Sequence, residues 1–105
     1  MPEFIAIIPD KPGAYAKRME IRPKHLVSAK SNFENGPVTM GGGYADEFPA
    51  EGQPPQLKGS IMTMEANSKE EVLEFLKKDI YYSEGVWDLE NVQIYAVSHT
   101  YLLIL

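Results

Sequence analysis

The sequence contains no cysteine. Disulfides, thiolate nucleophiles and cysteine-ligated zinc or iron–sulfur centres are thereby excluded. Surplus positive charge is also missing. Ten lysines and arginines stand against fifteen aspartates and glutamates, a formal net charge of -5. Nucleic acids are bound through an excess of basic side chains over phosphate, so no such partner is expected. No apolar run approaches the roughly 20 residues of a membrane-spanning helix. The opening Met1-Pro2-Glu3-Phe4 has neither a basic start nor a cleavable apolar segment. The expectation is a cytoplasmic protein without a membrane partner. Two histidines, His25 and His99, lie far apart in the chain. They are too few for a metal site, and no metal or cofactor is expected.

What is present suits one domain spanning residues 1–105. Its 105 residues, 44% hydrophobic and 24% charged, can bury one core, and pairing with a second copy would add burial. Arginine occurs only twice, as Arg18 and Arg22, in the stretch Arg18-Met19-Glu20-Ile21-Arg22-Pro23-Lys24-His25-Leu26. At helical spacing Arg18, Arg22 and His25 fall at i, i+4 and i+7, on one face. Pro23 interrupts the run, although a proline inside a helix costs roughly 3 kcal/mol. The stretch reads as a helix, kinked or restarted at Pro23, that turns a cationic, titratable face towards a pocket. The plain alternative is a solvated basic face with a histidine at its edge.

In chain order, Phe4-Ile5-Ala6-Ile7-Ile8 is a short apolar run ended by Pro9-Asp10, the pattern of a buried strand. A helix is predicted from Ala14 to about Asn35, stopped by Gly36-Pro37, with Tyr15, Met19, Leu26 and Phe33 on the line that would pack on the sheet. Val38 to Tyr44 follows as a strand running into Gly41-Gly42-Gly43. No Gly-Lys-Ser/Thr follows these glycines, so a phosphate loop is weakly supported. Close approach of a ligand or another backbone explains them better, with Gly42 the candidate binding position. Residues 45–58 are proline-rich and polar, a surface loop. Gly59 to Ala66 alternates as a strand, with Met62, Met64 and Ala66 on one side. Ser68-Lys69-Glu70-Glu71 is a capping box opening a helix with Val72, Leu73, Phe75 and Leu76 as its buried stripe. Asp79 then stands where that helix dipole favours a base, a cost of a few tenths of a kcal/mol. Tyr81, Tyr82 and Trp87 form an aromatic segment. Asp88 to Val97 reads as the last strand, and residues 98–105 form an extension whose end, Tyr101 to Leu105, is too apolar to hang in water.

Strand, helix, strand, strand, helix, strand is the ferredoxin-like βαββαβ order. It predicts an α+β fold in which a four-stranded antiparallel sheet carries two helices on one face. The opposite face also bears apolar residues, so a homodimer is expected.

Arg22-Pro23-Lys24-His25-Leu26, the glycines after Val38, Gly59-Ser60, Asp79-Ile80-Tyr81 and Gly85-Val86 together resemble the YCII-related (YciI-like) proteins, a branch of the dimeric α+β barrel superfamily. The resemblance spans almost the whole chain. It implies a ferredoxin-like subunit dimerised sheet to sheet, with a pocket between helices and sheet. It also implies that His25 and Asp79 form an active-site dyad. Where that family commonly has proline after the aspartate, this chain has Ile80.

Two functional classes follow. In the first, a histidine oriented by a carboxylate acts as general acid/base on a small, anionic cyclic or aromatic substrate, in an isomerase, lyase or hydrolase type of reaction. Arg18 and Arg22 would hold the anion, and Tyr81 and Trp87 would form walls. In the second, the same pocket binds a small ligand without turning it over.

Overall fold

The computed structural model describes residues 2–101. Its elements are β1 (Glu3–Pro9), α1 (Tyr15–Glu34), β2 (Val38–Tyr44), β3 (Gly59–Glu65), α2 (Lys69–Leu76), α3 (Ile80–Ser83), a 3₁₀ turn (Leu89–Asn91) and β4 (Gln93–Val97). The strands form one sheet in the order β2-β3-β1-β4, and every pairing is antiparallel. This is the ferredoxin-like α+β arrangement that the pattern predicts.

Alternation places the core. Phe4, Ala6 and Ile8 of β1 are buried, as are Met62 and Met64 of β3, and they cluster with Val72 and Leu76 of α2. In β1 the odd-numbered neighbours Ile5 and Ile7 point the other way and are only half-buried. They pair with Thr63, Tyr95 and Ile61 across the outer sheet face. Gly59, at the start of β3, has no room for a side chain. A Cβ there would lie 2.3 Å from the Ile8 carbonyl oxygen and 2.5 Å from the Tyr44 ring. Gly59→Ala is therefore expected to destabilise by about 1–3 kcal/mol through overpacking against backbone. A thermal melt indistinguishable from that of the parent protein would contradict this.

Three expectations are corrected. First, α1 is one helix that runs through Pro23 without restarting. Arg18 and Ile21 are buried before the proline and His25 is tied down after it, so tertiary contacts hold both halves. Its buried residues are Arg18 and Ile21, whereas Met19, Leu26 and Phe33 are 41%, 45% and 61% exposed. Second, α2 ends at Leu76, and Asp79 is the N-cap of α3. An acid there is favourable, because it accepts from a helical N–H at the positive end of the dipole. Third, β4 begins at Gln93. The preceding residues turn instead, with the Asp88 N–H bonded to the Pro9 carbonyl at 2.8 Å and Asn91 N–H to Asp88 carbonyl at 3.2 Å.

The Ser68 cap forms as expected, accepting from the Glu71 N–H at 3.1 Å. The Glu71 carboxylate does not return to Ser68; it meets the Asn67 amide at 3.4 Å. Residues 45–58 form a loop, exposed over most of its length. The apolar end of the 98–105 extension, Leu102 to Leu105, lies outside the described residues. Tyr101 is exposed.

Candidate active site

A cavity of about 580 Å³ opens between α1 and the β2–β3 side of the sheet. Arg18, Arg22 and His25 line it from α1, with Ser60 from β3 and Asp79, Tyr81 and Trp87 from the segment after α2. One helix face thus turns all three basic residues to the same space.

His25 Nδ1 lies 2.9 Å from Asp79 Oδ1, although 54 positions separate them. Both side chains are largely buried, 15% and 9% exposed. The same carboxylate oxygen accepts the Tyr81 N–H at 2.8 Å, so the cap of α3 and the partner of His25 are one atom. Donation from Nδ1–H to the carboxylate leaves the Nε2 lone pair as the free basic position of the ring. The imidazole stacks on Tyr81, with centroids 3.9 Å apart and planes 16° from parallel. Trp87 stands edge-on to it at 6.3 Å.

Arg18 is deeper. It is 4% exposed, and its Nη1 donates to both Asp10 carboxylate oxygens at 3.0 and 3.1 Å. Its Nη2 donates to Ser60 Oγ at 3.0 Å, which also accepts from Trp87 Nε1 at 3.0 Å. With two donors on Ser60 Oγ, its own hydroxyl hydrogen is the unused donor. The guanidinium lies 4.8 Å from the Tyr81 ring centroid. Arg18 Nε is buried without a partner among the described residues. Burial holds the Asp10 carboxyl above its ordinary range, with Arg18 pulling the other way. Burial likewise raises the Tyr81 hydroxyl, opposed chiefly by Arg18 and Arg22. Tyr81 therefore stays protonated and able to donate at neutral pH.

Arg22, in contrast, is exposed and makes no ion pair among the described residues. It is the uncommitted cation at the cavity. Gly42 lines the cavity, but the tight approach is at Gly43, where a Cβ would meet Leu57 at 3.0 Å and Arg18 Nη2 at 3.2 Å. Asp10 and Ser60, the partners of Arg18, escape a reading by pattern because they look like a turn residue and a strand start. The available signal was the scarcity of arginine: a buried guanidinium needs a carboxylate, and Asp10 follows the first buried strand. Among the described residues no three His, Asp or Glu side chains gather as a metal site would require. No helix among them is long and apolar enough to cross a membrane.

The model of the YCII-related domain matches residues 3–97. The chain belongs to the YCII-related family. Among relatives of this YCII-related chain, fusaric acid biosynthesis protein 2 of Gibberella fujikuroi is 37% identical over 93 residues, 89% of each chain. Aspercryptin biosynthesis cluster protein B of Emericella nidulans is 34% identical over 93 residues, which cover 88% of this chain and 60% of that one. Xenovulene A biosynthesis cluster protein asL2 of Sarocladium schorii is 31% identical over 94 residues, 86% and 82% of the two chains. Among solved structures, the 5-chloro-2-hydroxyhydroquinone dehydrochlorinase TftG of Burkholderia phenoliruptrix, in complex with 2,5-dihydroxybenzoquinone, matches with a TM-score of 0.75. The match covers 92% of the YCII-related chain and 94% of TftG at 22% identity. At that identity the likeness speaks for the shared α+β fold alone.

Proposed function

We propose that this YCII-related protein is a small-molecule enzyme. In this reading a His25–Asp79 dyad moves a proton on a small anionic cyclic or aromatic substrate, in an isomerisation, elimination or hydrolysis. The observation that carries the reading is the 2.9 Å contact between His25 Nδ1 and Asp79 Oδ1 at the wall of a cavity of about 580 Å³. His25 Nε2 takes a proton from the substrate or, in a hydrolysis, from the attacking water, and the Asp79 carboxylate stabilises the imidazolium that forms. The ring then returns that proton to a different atom of the substrate or to a leaving group. Arg22, which lines the cavity and makes no ion pair among the described residues, attracts the anion. The Ser60 and Tyr81 hydroxyls can hydrogen-bond oxygen where negative charge develops. That several relatives are named for biosynthesis clusters, and a fold neighbour for a dehydrochlorinase, supports small-molecule chemistry.

The test needs no prior substrate. The protein is incubated in D₂O with a panel of hydroxylated aromatic and cyclic acids, and ¹H NMR follows loss of carbon-bound proton signals. Exchange or turnover that depends on His25 supports the reading. Acids that bind without exchange or turnover would make the protein a binder and overturn the catalytic reading.

The active unit in this proposal is a homodimer. On the outer sheet face Ile5, Ile7 and Ile61 are only half-buried, and Met40 and Tyr95 are 41% and 50% exposed. A second copy packed sheet to sheet would remove this apolar surface from water. Light scattering at micromolar concentration is expected to give twice the chain mass of 11.8 kDa; a monomer would refute it.

A further inference from the structure

We propose that the substrate is amphipathic, an anionic ring or head at the dyad carrying an apolar chain along the C-terminal half of α1. This rests on the acid/base reading above and adds the substrate class to it.

The cavity is a trough with unlike ends. Gly43 of β2 lies beside Arg18, within 3.2 Å of Nη2 at its Cβ position. Val38, at the other end of β2, starts four positions after α1 ends at Glu34. The strand therefore runs back along the helix, with polar residues at one end of the trough and apolar ones at the other. Arg18, Arg22 and His25 mark the first end. Leu26 and Phe33 of α1, Val38 of β2 and Phe75 of α2 line the second, with Asn32 among them. From His25 to Phe33 the helix rises about 12 Å at roughly 1.5 Å per residue, room for an alkyl chain of several carbons.

Size points the same way. A cavity of about 150 Å³ suffices for a benzene ring, whereas this one measures about 580 Å³. A lone ring at the dyad would leave most of the trough to water against apolar walls. Leu26 and Phe33, large apolar side chains at 45% and 61% exposure, line that remaining space. Sequence periodicity assigns Leu26 and Phe33 to the sheet, but the sheet does not bury them. A ligand chain does. Charge fixes the orientation, because the basic residues all lie at one end.

Calorimetric titration of the intact protein with benzoate and its 4-ethyl, 4-butyl and 4-hexyl derivatives tests this. Affinity is expected to rise about fourfold per added methylene until the trough is filled. Leu26→Ser with Phe33→Ser should flatten that rise; both sites are exposed, and a circular dichroism melt verifies the fold. Arg22→Gln should weaken every member by a common factor and leave the rise intact. A flat series in the parent protein, with benzoate still bound, overturns the chain proposal and spares the acid/base reading. A rise that survives the double variant places the chain elsewhere and also overturns it. If benzoate and all its derivatives fail to bind, the anionic-substrate reading falls as well.

Discussion

His25→Ala is expected to slow the proton-transfer reaction by about 10²- to 10⁴-fold, the usual contribution of a positioned acid/base group. Ligand binding should survive, because Arg22, the uncommitted cation lining the cavity, is untouched. Asp79→Asn asks a finer question. Asp79 Oδ1 accepts from both His25 Nδ1 and the Tyr81 N–H, so an asparagine oxygen in the same place can keep both bonds. Tautomer and cap persist while the negative charge disappears. What is lost is the stabilisation of the imidazolium, about 1.5–3 kcal/mol for a hydrogen bond to a charged group, or roughly 10- to 100-fold in rate. Asp79→Ala removes cap and orientation together and should fall below Asp79→Asn. Rates of isotope exchange or turnover for the three variants give the order. If His25→Ala keeps the parent rate, the dyad is not the catalyst.

Asp10→Ala should produce the largest loss of stability among single changes in the polar site. The Arg18 side chain is 5% exposed and its partner 6%, so truncating Asp10 strands a guanidinium in the core. Breaking a buried pair from one side costs about 3–5 kcal/mol. At about 4–8 °C per kcal/mol for a domain of this size, the melting temperature should drop by on the order of 10–40 °C. Adding Arg18→Met should recover much of this, since removing both charges leaves neither unpaired. The pH dependence follows from the raised carboxyl of Asp10. The folded state holds this proton to higher pH than the unfolded chain. The associated stability is therefore fully present below the ordinary carboxylate range and lost as pH rises through the raised value. Asp10→Asn should remove that component of the pH profile. An Asp10→Ala protein melting within a few degrees of the parent would contradict the stranded-charge account.

The fold was legible because each element carried its own local signal. The apolar run at Phe4–Ile8, the alternation through Met62 and Met64, and the Ser68 cap all agree with the elements observed. The two halves of the dyad stood out as local conflicts, but one was misread. Asp79 looked like an acid misplaced at a helix C-terminus because the end of α2 and the start of α3 are not separated by glycine or proline. The surroundings of Arg18 were less accessible. Its partners Asp10 and Ser60 lie 8 and 42 positions away, and neither has a pattern that distinguishes a buried ligand from a turn or strand start. The apolar line on α1 misled for a different reason. Periodicity reports which residues share a face, and it cannot say whether that face meets a sheet or a cavity.

The three glycines of β2 have a consequence for how such proteins diversify. By register Gly41 and Gly43 lie opposite Met62 and Ser60, so their missing side chains leave the trough open along one wall. A Cβ at Gly41 would meet only Val38, at 3.9 Å, so that position can accept a small side chain without disturbing its neighbours. Every glycine codon lies a single base from one for alanine and one for valine, and two of the four lie a single base from serine. The aperture can thus be narrowed or given a hydroxyl in one mutational step, far from His25 and Asp79 in sequence. Selection on what the cavity holds can act on this wall while His25 and Asp79 stay under separate constraint.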